Sequence, residues 1–437
     1  MKTYEIKLQG LFNRLLSIHP RTAKKFGLSS RIILQYGTRS VEVNVKKTRK
    51  TKKGIMLLSE DVKEKLLIPI TSRYEVIRIE EKMILGPYIA FYAGASEKRL
   101  LNRIKDLGKY TEHYHSINGT ILAFSANGVD TERKTITGYI FDPENNEWIK
   151  GIYGYPMSIL RNVSMDNHIH RELIRCVGKN IINETLVDKW KMHQWLSKSN
   201  ELKNYLPPTI LYKSPKDIFL FLKEYRSAYL KPINGFQGKG IMKVTKMRKD
   251  FKVAFKKKEK LVELVLTKNE AIRFFKKKLR AKKFILQKSL DIVHNGILLD
   301  FRAIVVKDAL DEWKPMGLVG KSMTAYGITS NQATGGKEQL GVKALREVVG
   351  LSDVEAQKAA LKMEEISVKI GEQLDMTDYH FGNLGIDIGI DRNGKLWIIE
   401  VNHRGPGHVS MKEIGFEEQF KQILKTNMLH AKSLAGF

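Results

Sequence analysis

Cysteine is almost missing from this chain: Cys176 is the single thiol among 437 residues. One thiol excludes an internal disulfide framework and any multi-cysteine zinc site, and it fits a reducing compartment. No stretch approaches 18 consecutive apolar residues, which rules out a membrane-spanning helix. The opening MKTYEIKLQGLF also lacks the apolar run of a secretory signal. Acidic residues are in deficit, with 47 Asp plus Glu against 76 Lys plus Arg and a formal charge of +29. That excess points to acidic partners, whether nucleic acid, a polyanionic polymer or an anionic surface, without specifying a fold. Few aromatic residues punctuate the basic clusters at 46–53 and 273–283, and no recognition module is visible, so nucleic acid is disfavoured. Repeats and long linkers are absent as well. What is present, 42% hydrophobic and 28% charged residues, suits two or three domains with proper cores.

Residues 1–85 read as a strand-rich domain, because YEIKL, RIILQYG, SVEVNV and YEVIRI alternate or are rich in β-branched residues. The lysine and arginine cluster from Lys46 to Lys53 reads as a hairpin or loop with a solvated tip. Residues 86–205 read as an α/β unit. ILGPYIAFYAG and TILAFSA are strands around an amphipathic helix carrying Leu100, Leu101, Ile104 and Leu107. TITGYIF and WIKGIYG pair across DPENNE. The run MHQWLSKSNELKNYL reads as one helix, stopped by Pro207 and Pro208. Residues 206–290 form a second α/β segment, including a helix that starts at Ser214-Pro215 and a very basic helix before FILQKSL. Residues 291–437 add an antiparallel pair, a long amphipathic helix over 351–375, a last hairpin and a C-terminal helix.

Chemistry concentrates first in LGIDIGIDRNGKLWIIEVNHRGPG, residues 384–407. Two apolar strands flank a turn containing Asn393-Gly394. Side chains alternate along a strand, so Glu400 and Asn402 share a face. If Asn393-Gly394 is a two-residue turn, Asp387 lies opposite Glu400. If residues 391–394 all form the loop, Asp387 pairs with Ile398, which faces the same way as Glu400. Either register gathers two carboxylates and an amide oxygen, a hard-oxygen set suited to Mg²⁺ or Mn²⁺. The plainer alternative, solvated residues on an exposed face, fits poorly with such apolar neighbours.

A second signal is Lys231-Pro-Ile-Asn-Gly-Phe-Gln-Gly-Lys-Gly240. Gly235, Gly238 and Gly240 remove side-chain bulk where backbone N–H groups could wrap phosphate oxygens, with Lys231 as a point charge. A glycine-rich hairpin is the competing account. The third is Asp300-Phe-Arg302 on one strand face, followed by Lys321, Asn331 and Gly335-Gly336. Arginine suits paired phosphoryl or carboxylate oxygens, although Asp300 with Arg302 alone would be an ordinary ion pair. Cys176 reads as a buried thiol with no catalytic duty.

In their order along the chain, the three clusters resemble the ATP-grasp superfamily over residues 150–430. More closely, and over essentially the whole chain, the sequence is similar to the endospore coat-associated ATP-grasp proteins of spore-forming Gram-positive bacteria. The resemblance implies an α+β fold in which two α/β lobes hold ATP between them, preceded by an extra strand-rich domain. It makes LPPT at 206–209 the start of the lid-bearing subdomain over 206–290, with the metal-bearing subdomain over 291–437. Lys231 and the loop through Gly235, Gln237, Gly238 and Gly240 become the phosphate cradle. Gln287, Lys288 and Leu290 become the adenine hinge, and Lys189 the first nucleotide-contacting lysine or else a helix-surface lysine. Arg302, Lys321 and Asn331 would meet the transferred phosphoryl group and the acceptor, and Asp387, Glu400 and Asn402 the Mg²⁺.

Two departures stand out: Phe236 replaces a small serine-like residue, and Lys321 stands where many members use arginine. The resemblance further implies an ATP- and Mg²⁺-dependent carboxylate–amine ligase working through an acylphosphate, with a peptide or cell-envelope precursor as substrate. The rival class is a non-catalytic, nucleotide-binding assembly protein of the spore coat. Synthesis in the mother-cell cytoplasm, association with the coat and acidic coat proteins as partners follow from the same resemblance. In the HRGPGH turn, Arg404, Gly405 and Gly407 could bind an anion. His403 or His408 could act as a base, with loop packing as the plain alternative. The stretch Tyr153 to Arg161 could touch substrate.

Overall fold

The computed structural model describes residues 2–10, 12–161, 163–235, 238–257, 260–280, 283–324 and 337–437. Its architecture is α+β, with the expected strand-rich N-terminal part ahead of an α/β unit and two sheet-based lobes. The strands from Tyr4–Gln9 to Lys82–Gly86 close into a barrel. Alternation makes this possible: in Arg31–Tyr36, Ile32, Leu34 and Tyr36 are buried, while Arg31 is exposed. Closure removes the unpaired edges that such short strands would otherwise present. The basic residues from Lys46 to Lys53 do not tip a hairpin. Arg39–Lys47 and Ile55–Ser59 each pair with Leu15–Ile18 rather than with one another, so the cluster spans a crossover.

Next comes a mixed sheet built on the buried strand Tyr88–Tyr92, which pairs in parallel with Thr120–Asp130 and Ser158–Arg161. The helix Glu97–Thr111 makes the crossover a parallel pair requires. TITGYIF and WIKGIYG do pair antiparallel, as Thr135–Asp142 with Glu147–Gly154. A helix at Asn167–Val177, absent from the sequence reading, is capped by the Asp166 carboxylate, which accepts the His168 and Ile169 N–H groups. The run expected as one helix up to Pro207 is interrupted. Its helix covers Lys189–Leu196, and a 3₁₀ turn follows at Lys203–Tyr205. Ser199 explains the break, since its hydroxyl takes the Leu202 N–H at 3.2 Å and diverts the backbone from helical pairing.

The first lobe is an antiparallel sheet running Thr209–Leu211, Phe284–Lys288, Ser227–Pro232, Met242–Lys246, Phe251–Lys257, Lys260–Leu266. Helices Pro215–Tyr225 and Lys268–Lys278 pack on it through Ile218, Leu222, Ala271 and Phe275, and each begins with a capping box. The second lobe orders its strands Lys337–Leu340, Trp313–Thr324, Ile297–Lys307, Asn383–Ile390, Leu396–Asn402. Its central strand shows how period two divides labour. Leu299, Phe301, Ala303 and Val305 face the long helix Asp353–Asp375, while Ile304 and Val306 face the terminal helix Glu417–Leu434. Asp300 and Arg302 continue that second face beyond the helix. The site begins there.

The terminal helix also binds the barrel. Lys432 donates to the Glu75 carboxylate at 2.6 Å, and both side chains are largely buried. Removing one partner of such a pair strands the other charge, at about 3 kcal/mol. Lys432→Ala is therefore expected to lower unfolding free energy by about that amount in urea denaturation. Glu75→Gln combined with Lys432→Met should recover most of it.

Candidate functional site

In the second lobe Arg302 stands opposite Asp387, and Asp387 opposite Glu400. A guanidinium and two carboxylates thus form one row across three neighbouring strands. A second row sets Asp300 opposite Lys321 and Lys321 opposite Glu338. The register is neither of the two simple alternatives. Ile390 pairs with Leu396, leaving a 391–395 loop closed by Asp391 N–H to the Lys395 carbonyl and Gly394 N–H to the Asp391 carbonyl. A bulge at Ile399 then shifts the pairing so that Asp387 and Glu400 meet after all. Both Ile398 and Val401 can thereby face the core while Ile399 and Glu400 face the site.

The Arg302 Nε and Nη2 donate to Asp387 Oδ1 and Oδ2 at 2.5 and 3.0 Å, a bidentate pair. Nη1 donates to the Pro406 carbonyl at 3.3 Å. Asn402 Nδ2 donates to Asp387 Oδ2 at 3.0 Å. Burial acts to raise the Asp387 carboxyl, but Arg302, Lys321 and the hydrogen bonds from Arg302 and Asn402 outweigh it and hold it below the usual carboxylate range. The chain can pass close over this row because Gly385 has no Cβ; one there would meet the Pro406 carbonyl oxygen at 2.2 Å.

Glu400 is held from the opposite side. The Lys189 ammonium donates to its Oε1, and to the Gly235 carbonyl at 2.9 Å. Lys189 opens the helix Lys189–Leu196 and points into the site rather than into solvent, tying the α/β unit to both lobes. Lys231 is buried at the end of Ser227–Pro232 and donates to Gln287 Oε1 at 2.6 Å, while Gln287 Nε2 donates to Thr209 Oγ1 at 3.2 Å. Burial pushes the Lys231 ammonium down to about 8; Glu400 opposes this and Lys189 adds to it. Gly238 and Gly240 adopt positive φ of 71 and 79°, which glycine tolerates at no steric cost.

These groups open on one cavity of about 930 Å³. Its wall includes Lys231, Gly238, Gln287, Lys288, Leu290, Arg302, Lys321, Asp387, Glu400 and Asn402. Lys189 and Gly235 line an adjoining pocket of about 130 Å³ that shares Lys231, Gln287, Glu400 and Asn402. Gly240 lies one turn away against Pro232. Gln237 and Asn331 lie outside the described residues, as do Phe236 and Gly335-Gly336.

Several wall residues escaped the sequence reading, although Arg404, named there as an anion-binding residue, did not. Tyr229, Ile292, Leu298 and Ile399 form an apolar slot beside Leu290. Tyr229 lies two residues before Lys231, so strand alternation could have flagged it. Arg99 and Arg103, one helical turn apart after Gly94, bring positive charge from the α/β unit, and Arg404 adds more. The Tyr153 to Arg161 stretch does not line the cavity; Val163 and Ser164 do.

The two histidines of the HRGPGH turn are both buried. His403 Nε2 accepts the Val187 N–H at 3.1 Å, and burial pushes its imidazole down to about 4. Burial takes His408 to about 3. Cys176 is half-buried, its thiol raised by burial and by the neighbouring Glu172.

The chain is similar to solved structures at low identity, among them the VanG D-Ala:D-Ser ligase from Enterococcus faecalis. That match has a TM-score of 0.47 and 13% identity, covering 78% of this chain and 98% of that one. Among curated proteins, the chain is 26% identical over 404 residues to the endospore coat-associated protein YheD of Bacillus subtilis (strain 168), covering 89% of this chain and 86% of YheD. It is 23% identical over 246 residues to the endospore coat-associated protein YheC of the same organism, covering 54% of this chain and 65% of YheC. Residues 178–434, more than half of the chain, match the YheC/D like ATP-grasp family, and the protein belongs to it.

Proposed function

We propose that the protein is an ATP- and Mg²⁺-dependent carboxylate–amine ligase that works through an acylphosphate in forming the endospore coat or envelope. The ATP-grasp fold supports ligase-type chemistry in general; the finer reading rests on what lines the cavity. One observation carries it: an apolar slot, a buried lysine, a row of oxygen donors and a basic wall converge on a single space of about 930 Å³.

The slot of Tyr229, Leu290, Ile292, Leu298 and Ile399 suits the faces of adenine, and the Gln287–Leu290 backbone its edge. Lys231, Lys288 and the Gly238 loop suit the phosphates. Asp387, Glu400 and Asn402 offer the oxygen set a hard cation takes; Arg302 and Lys189 hold the two carboxylates here, and a cation would share Asp387 and Glu400 with them. When bound there, Mg²⁺ or Mn²⁺ neutralises phosphate oxygens and orients them for in-line transfer.

The substrate carboxylate attacks the γ-phosphorus; an O–P bond forms and the bridging P–O bond breaks, its electron pair leaving with ADP. An amine then attacks the acyl carbon, the C–N bond forms, phosphate departs and the amine loses a proton. Arg302 is fixed by Asp387 and Pro406, and its remaining N–H groups can hold two oxygens of the migrating group. Lys321 supplies a point charge from the neighbouring strand. Arg99, Arg103 and Arg404 favour an anionic acceptor, such as a peptide or cell-wall precursor. No side-chain nucleophile is needed, which leaves Cys176 outside the chemistry.

A second reading, a nucleotide-binding assembly protein of the coat, draws support from the basic surface. Lys276, Lys277 and Lys278 on the first lobe and Lys46, Lys47, Arg49 and Lys50 on the barrel are all exposed and suit acidic coat proteins.

Turnover separates the two readings. Purified protein with ATP and Mg²⁺, screened against pooled amino acids, short peptides and cell-wall precursors, should release ADP and phosphate only with the correct pool. Asp387→Asn and Glu400→Gln should each slow that release at least about a hundredfold. Nucleotide binding without turnover on any pool favours the assembly reading, and no nucleotide binding sinks both. Lys231 adds a pH signature. Its ammonium predominates at pH 7 and is lost as pH rises through about 8. ATP affinity measured by calorimetry should therefore weaken above pH 8, by up to about tenfold per pH unit. Lys231→Arg should flatten that slope; a wild-type affinity constant to pH 10 would remove Lys231 from the phosphate site.

A further inference from the structure

Away from the cavity, three residues distant in sequence meet at the base of the second lobe. Asp311 sits in the turn between Ile297–Lys307 and Trp313–Thr324. His380 lies in the segment leading into Asn383–Ile390, and His430 lies on the terminal helix. Their ligand atoms lie within 4.8 Å of one another. The two imidazole Nε2 atoms face each other at 3.3 Å, and each is 3.9–4.0 Å from Asp311 Oδ1.

This geometry is close to that of a tetrahedral centre. Metal–nitrogen distances of about 2.0–2.1 Å at tetrahedral angles put two ligand nitrogens about 3.3–3.4 Å apart. The nitrogens already stand at that spacing, and the carboxylate needs to move inward by about 0.6 Å. His430 Nδ1 faces the Asp308 carbonyl oxygen at 3.0 Å. A neutral ring donating there presents its Nε2 lone pair toward His380, as the outer hydrogen bonds of zinc-bound histidines do. Gly382 lets the ring approach: a Cβ there would meet His430 Cδ2 at 3.0 Å and Nε2 at 3.2 Å.

One neighbour opposes a cation. Buried Lys307 donates to Asp311 Oδ1 at 2.9 Å and pairs with Asp375 at 3.0 Å. Two carboxylates against one ammonium still leave a net negative charge, and Asp375 holds Lys307 when Asp311 turns.

We propose that Asp311, His380 and His430 bind a divalent first-row transition ion of the Zn²⁺ type, with solvent as the fourth ligand. The two-imidazole, one-carboxylate set is borderline in softness, unlike the all-oxygen set of the cavity. The ion clips the turn at Asp311 and the terminal helix to the segment that enters the Asp387 strand, and it stabilises the second lobe.

Full-length protein, stripped with a chelator and supplied with excess Mg²⁺ to fill all-oxygen sites, is titrated with Co²⁺ and then Zn²⁺. The proposal expects one equivalent of Co²⁺ with the intense visible bands of a four-coordinate centre, displaced by Zn²⁺, and a rise in Tm with Zn²⁺. Asp311→Asn, at an exposed position, and His380→Gln should each weaken binding at least about a hundredfold and abolish the Tm rise. Asp387→Asn should leave the bands intact. Absence of stoichiometric binding overturns the proposal. So do bands that survive both Asp311→Asn and His380→Gln, or that vanish with Asp387→Asn.

Discussion

The buried pair between Arg302 and Asp387 is the interaction on which the site depends. A carboxylate facing a second carboxylate across a strand pair is repelled unless cations separate or screen them. Arg302 supplies that charge from one side and Lys189 from the other, so the row Arg302–Asp387–Glu400–Lys189 holds its two negative charges between two positive ones. Its maintenance requires three strands in one register, a helix start beside the outer one, and a chain overhead that carries the Pro406 carbonyl. The Ile399 bulge is a product of that requirement. Without an extra residue, a core face that includes both Ile398 and Val401 would turn Glu400 away from Asp387.

The same row connects the parts of the molecule. Lys189 belongs to the α/β unit, and Gly235 to the loop of the first lobe, yet both converge on Glu400. Behind it, buried Asn183 ties the α/β unit to the second lobe: its amide donates to the Asn383 and His403 carbonyls and its Oδ1 takes the Gly382 N–H at 3.1 Å. His403 closes this net by accepting the Val187 N–H, which is why a histidine so near the oxygen donors serves as a brace. An uncharged imidazole is the form such a bond needs, and burial provides it.

Much of this was legible in the chain because its signals are local. A polar stripe of period two inside strongly apolar strands marked Asp387, Glu400 and Asn402. The same period set Asp300 and Arg302 on one face, and Ser214-Pro215 placed the start of the helix that follows. What stayed hidden was decided by distance in sequence. Lys189 meets Glu400 across 211 positions, and nothing in KWKMHQWL distinguishes a lysine aimed at a carboxylate from a solvated one. The Ile399 bulge follows from which residues of the strand the core takes, and contacts made by distant segments have no trace in a strand's own alternation. Barrel closure, likewise, turns on how distant strands pair, and the Ser199 side-chain bond broke a helix whose apolar period looked continuous. The Asp311, His380 and His430 cluster draws on three segments that share no motif.

Two cation sites of opposite chemistry would let the protein use both without confusion. The cavity offers carboxylate and amide oxygens, which suit a hard ion that keeps much of its water, as Mg²⁺ does. The basal cluster offers two imidazole nitrogens, which Mg²⁺ dehydrates too reluctantly to use and which Zn²⁺ prefers. Their positions differ as their chemistry does. The oxygen row lies on the wall of the open cavity, whereas His430 is buried on a helix whose neighbouring Lys432 also holds the barrel through Glu75. An ion at the base would therefore act on the frame, fixing the segment that runs from His380 into the Asp387 strand. The position of Asp387, and through Arg302 of the whole charge row, would then rest on a clip some distance from the reacting atoms.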